Sequence, residues 1–174
     1  MSLKIVIDKA ALSDAVRGST MCKFLVKWGW GKRLERVRCV QDAVLGDLVF
    51  DQDGEWWSAT VQISGQSIGF KIAGDSKPHE KRIARAHEIV KAFAEFDEMV
   101  ATFISDEAAK HRLDGGEFGE MVASEIKKLR IEDICLLSAK NPDDGMIYFK
   151  GLDIPGSWRC DYVNGKAAFL GCDT

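Results

Sequence analysis

Between Trp57 and Ile72 apolar and polar side chains alternate so strictly that one sheet register and one buried face are singled out. With a tight turn at Gly65-Gln66, Ser64 pairs with Ser67, Ile63 with Ile68, Val61 with Phe70 and Ala59 with Ile72. Ser58, Thr60, Gln62, Gly69 and Lys71 then share the opposite face. A slip of one residue would exchange the two faces, so the alternation specifies register as well as strand content. A sheet with one apolar face needs a cover, and the rest of the chain must supply it.

Other strands are expected on both sides. Leu48 and Phe50 lead into a turn at Asp51-Gln52-Asp53-Gly54, so a meander runs from Leu45 to Ala73. Later strands are expected at Ile131–Ala139, Met146–Lys150, Ser157–Val163 and Lys166–Cys172. A turn at Asn164-Gly165 joins the last two. In that hairpin Trp158, Cys160, Tyr162, Ala167 and Phe169 share one face, and Arg159, Asp161 and Lys166 the other. Nearer the start, Lys4–Asp8 is a short apolar run, Asp8–Val16 has a helical pattern, and Met21–Trp28 alternates as a strand.

The middle of the chain is helical. From Pro78 to Arg112 there is no glycine and no further proline, Ser76 can cap, and apolar residues recur at helical spacing. The pattern predicts one long helix, or two broken near Ser105-Asp106, stopped by Asp114-Gly115-Gly116. A second amphipathic helix follows over Glu117–Leu129. Strands, then helices, then strands argue for an α+β fold. An antiparallel sheet of two meander regions would carry a long and a shorter helix on one face.

The chain has 174 residues, 46% of them apolar and 29% charged, enough for one domain with a substantial core. The expected division is an N-terminal extension over 1–43, packed on an α+β domain over 44–174. A net charge of −3 gives no general attraction to nucleic acid or acidic membranes. No apolar run approaches the roughly 20 residues a membrane helix needs. Met1–Lys9 lacks the layout of a secretion signal, so the expected location is the cytoplasm. Cys22, Cys39, Cys135, Cys160 and Cys172 show no CxxC spacing and read as reduced, mostly buried thiols. Pairing Cys160 with Phe169 sends Cys172 to the other face, so those two are expected to stay unbridged.

Leu45-Gly46-Asp47-Leu48-Val49-Phe50, Gly54-Glu55-Trp56-Trp57, a strand ending at Gly65 and a long helix up to Phe96-Asp97 carry a family resemblance. With the strand Ile131–Ser138 and the hairpin turn Asn164-Gly165, residues 44–172 resemble a bacterial family catalogued as domain of unknown function 2262. That family opens its penultimate strand with Gly-His, where this chain has Gly156-Ser157. The resemblance implies no defined activity. Related small domains lie in polymorphic-toxin neighbourhoods, which implies an immunity-type role.

Chemistry-bearing residues are sparse. His79 and His87 lie eight residues apart, too far for one metal on a straight helix, while Glu107 and His111 share a helix face and read as a surface pair. Ser64-Gly65 and Ser157 lack the setting of a strained nucleophile, and the glycines of Gly29-Trp30-Gly31 and Gly115-Gly116 form no phosphate fingerprint. No catalytic residue, metal or cofactor is assigned. Lys32, Arg33 and Arg36 sit in a basic stretch from Lys23 to Arg38 around Trp28 and Trp30, the mixture used on single-stranded nucleic acid. Parity places Trp56 on the polar face, where a tryptophan can serve a protein interface.

These features point to a non-enzymatic protein-binding domain. In its concrete form it inhibits a toxin domain as an immunity protein, using Trp56 with Asp51, Asp53 and Glu55. The alternatives are a small hydrolase or transferase with a site assembled only in space, and a nucleic-acid binder using Lys32, Arg33 and Arg36.

Overall fold

A computed structural model describes residues 38–138, 140–150 and 157–173. The elements expected at 4–8, 8–16 and 21–28, and the basic residues Lys32, Arg33 and Arg36, lie outside the described residues. The chain is α+β, with eight strands and three helices among those residues. In order they are β1 (Cys39–Asp42), β2 (Gly46–Asp51), β3 (Trp56–Ile63), β4 (Gln66–Ala73), α1 (Glu80–Lys91), α2 (Phe93–Asp114) and α3 (Gly116–Ile126), followed by β5 (Arg130–Leu136), β6 (Gly145–Lys150), β7 (Ser157–Val163) and β8 (Lys166–Asp173). All eight strands form one sheet whose spatial order is the chain order. Every neighbouring pair is antiparallel except β4 and β5, which run parallel from Gly69↔Asp133 to Ile72↔Leu136. A parallel pair needs a long crossover, and the three helices are that crossover.

The β3–β4 turn is Ser64-Gly65, one residue earlier than expected, with Ile63 opposite Gln66 and Ala59 opposite Phe70. Ser64 (φ 52°) and Gly65 (φ 81°) are both left-handed, the type I′ geometry that follows the twist of a hairpin. Every expected partner moves by two residues. Because the side-chain period is also two, the faces are unchanged: Trp57, Ala59, Ile68, Phe70 and Ile72 are buried, and Thr60 and Gln62 exposed.

The last hairpin keeps its expected turn at Asn164-Gly165 and its first pairs, Val163↔Lys166 and Tyr162↔Ala167. Beyond them a bulge sets Ala168 and Phe169 against Asp161 alone, so Cys160 meets Leu170 and Trp158 meets Cys172. The extra residue reverses parity, which corrects two expectations. Phe169 is 61% exposed rather than buried, and Cys172 turns toward the same side as Cys160. Both thiols are free, as is that of Cys135, whereas Cys39 is disulfide-bonded and departs from the expected reduced set.

The helical stretch is interrupted at Ala92 (φ −112°, ψ 36°), and α2 runs unbroken through Ser105. Ala86, Ile89, Phe93, Phe96 and Val100 join one apolar core with Leu48, Trp57, Phe70, Ile134, Ile147, Trp158 and Tyr162. Each large side chain buried there contributes about 1.5–3 kcal/mol. Two polar clamps tie α1 to the strands. Asp42 accepts hydrogen bonds from the backbone N–H groups of Val44 (2.9 Å) and Leu45 (2.8 Å) and lies 2.8 Å from His87 Nε2. Arg85 donates to the Tyr162 hydroxyl and lies 3.0 Å from Asp143. Among the described residues no helix is long and apolar enough to cross a membrane.

Candidate functional site on the open face of the sheet

On the face opposite the helices, Ser58, Lys71, Cys135 and Met146 line up across β3, β4, β5 and β6; Cys135 is fully buried there and the other three are half-buried. Beside them runs a second row, Thr60, Gly69, Asp133 and Tyr148. Lys71 Nζ reaches diagonally to Asp133 Oδ2 at 2.7 Å. Gly69 makes room for this: a Cβ there would lie 1.9 Å from Asp133 Oδ1, so the carboxylate rests over bare backbone. The ammonium also stands 5.5 Å from the ring centre of Trp56 and 5.6 Å from that of Tyr148, within range of their electron-rich faces. Burial pushes the Lys71 ammonium down, but the hydrogen bond and charge of Asp133 outweigh it and hold the group above its ordinary value.

Trp56 stands at one end of this face. Its ring lies against Gly54, where a Cβ would come within 2.3 Å of it, and the side chain is half-buried rather than fully exposed. Its indole N–H is buried without a hydrogen-bond partner. Beside it the β2–β3 turn carries Asp51, Asp53 and Glu55, all exposed. Asp51 folds the turn by accepting from the N–H groups of Asp53 (3.0 Å) and Gly54 (3.4 Å). Glu55 takes a left-handed backbone (φ 57°), which directs the chain into β3. The structure thus gathers Trp56, Asp51, Asp53 and Glu55 at one corner of the sheet. Toward the opposite ends of β4 and β5 a shallow hollow of about 650 Å³ is lined by Thr60, Ser67, Gly69, Arg130, Asp133 and Lys150.

Lys71, Asp133 and Tyr148 were not singled out by the sequence reading. A signal existed: Glu132 and Asp133 interrupt an otherwise apolar strand over Ile131–Leu136, and an acid packed there calls for a cation. Of the basic stretch only Arg38 is described, and it packs on the Phe50 ring at 3.4 Å while donating to Asp75 O. Glu107 pairs with Lys110 rather than with His111. Among the described residues no three ligand-type side chains cluster as a metal site. Burial pushes the thiols of Cys135 and Cys160 up to about 12, so both stay protonated and weakly nucleophilic at neutral pH.

Comparison with known protein families, characterised proteins and solved structures found no match. The open face therefore carries the functional argument by its own chemistry.

Proposed function

We propose that this chain is a non-catalytic domain that binds another protein through the corner of the sheet formed by Trp56 and the turn Asp51–Glu55. The supporting observation is the pairing of a half-buried tryptophan with exposed acids, of which Asp53 and Glu55 form no ion pair among the described residues. Aromatic side chains seated in a packed surround supply binding energy, and a like-charged rim selects the partner. The partner surface is accordingly basic. In the specific form, which rests on the family resemblance, the protein is an immunity-type inhibitor acting in a bacterial cytoplasm. It occludes a toxin domain.

The test is capture by the full-length chain of the products of neighbouring genes, with growth protection against any toxin among them. Trp56→Ala is expected to weaken a captured complex by roughly 2 kcal/mol, about thirtyfold. Asp53→Lys with Glu55→Lys should slow association and flatten its salt dependence, with the melting temperature unchanged. No partner and no protection would remove the proposal.

A further inference from the structure

At the far end of the parallel pair, the chain leaves β4 at Ala73, loops through Gly74–His79 and enters α1, while the segment after β5 passes beside it. Here a small cavity of about 150 Å³ is lined by His79, Lys81, Arg82, Ser138, Lys140 and Pro142. Three of these side chains are permanent cations, and none is an acid. At about 30 Å³ per water, the space holds roughly five water volumes, which suits a tetrahedral oxyanion.

Arg82 is the informative residue. It is only 7% exposed, yet lines both this cavity and the wider hollow next to it. Its terminal N–H donates to Ser138 O, a neutral carbonyl, and no carboxylate among the described residues lies against it. Burial lowers its proton affinity with no opposing charge to restore it. One of its five donors is used within the protein, and the guanidinium lines the cavity and the hollow beside it. The start of α1 adds to the field. His79 provides no side-chain cap, and its carbonyl accepts from Arg82 N and Ile83 N, so the N–H groups of Glu80 and Lys81 have no intrahelical acceptor.

We infer that this cavity is an anion site that takes a phosphate monoester, with the phosphate between Arg82, Lys81 and Lys140. The esterified group extends into the adjoining hollow of about 650 Å³, which shares His79, Lys81 and Arg82. Two acids, Asp75 and Glu80, also line that hollow. Glu80 is already held by Lys77 at 2.7 Å. The anion site does not depend on the reading of the Trp56 corner, although the hollow begins at Ala73, the strand partner of Trp56.

Calorimetric titration of the full-length chain with inorganic phosphate, at ionic strength held constant with chloride, tests this. Saturable binding is expected, weakened about tenfold by Lys81→Gln together with Lys140→Gln. Both lysines are exposed, so the unliganded melting temperature should not change. Arg82→Gln should abolish binding, and circular dichroism shows whether that variant is folded; the lysine pair decides the question if it is not. A phosphoserine peptide and a nucleoside monophosphate, titrated in parallel, separate a phosphorylated protein from a free small ester. One of them should bind at least tenfold tighter than phosphate. Absence of saturable binding, binding indifferent to the lysine pair, or neither ester exceeding phosphate would overturn the inference.

Discussion

At the scale of single residues, the open face depends on a missing methyl group. A Cβ at position 69 would occupy the place of Asp133 Oδ1. Gly69→Ala should therefore push the carboxylate off Lys71 and cost about 1 kcal/mol, in line with a partly exposed ion pair. Combining Gly69→Ala with Asp133→Asn should cost less than the sum of the two, measured by urea unfolding. Strict additivity would show that the pair contributes nothing. Asp42 gives a second residue-level prediction. Burial raises its carboxyl, but hydrogen bonds from Leu45 and Val44, with His87 alongside, outweigh this and hold it below the usual value. An acid with a depressed folded value stabilises fully above its unfolded pKa of about 3.9, and that contribution fades as pH falls through the folded value. Asp42→Asn should thus destabilise at neutral pH, and the gap between its urea midpoint and that of the parent should close below about pH 4. A gap that did not narrow at all as the pH fell below that of a free carboxyl would contradict this.

At the scale of elements, the two hairpin turns share a geometry but not a chemistry. Asn164-Gly165 has the residues a type I′ turn favours, whereas Ser64 holds φ 52° without the local bonding that suits asparagine to it. Ser64→Asn should raise stability by about 0.5 kcal/mol, seen as a rise of about 1–2 °C in melting temperature. A fall would mean that the serine serves the turn in another way. The same elements show what residue order can and cannot disclose. Alternation from Trp57 to Ile72 was enough to sort inner from outer side chains even with the turn misplaced, because an error of two residues cancels. The bulge at Ala168-Phe169 could not be read, since an added residue in a strand leaves no mark in composition and only cross-strand pairing reveals it. Nor could the interruption at Ala92: alanine is the best helix former, and tertiary context overrides propensity there. Parity alone puts Trp56 on the polar face, while Lys71 with Asp133 and the cavity at Arg82 required knowing that β4 and β5 are neighbours.

At the scale of the whole molecule, two meanders meet along one parallel seam, and both candidate regions are placed by it. The Lys71–Asp133 pair crosses the seam, and the cavity at Arg82 lies beyond its carboxyl end. Losing the seam would thus disturb the polar face and the anion cavity together. A sheet laid out in chain order has a further consequence for biosynthesis. As the polypeptide leaves the ribosome, β2, β3 and β4 each find a template already made, so the first half can zip up strand by strand. β5 must wait until all three helices have emerged and brought it back beside β4. That single pause leaves the β4 rim open to strangers, and it is the moment in the life of the chain when a chaperone, or a second copy, has the most to grasp.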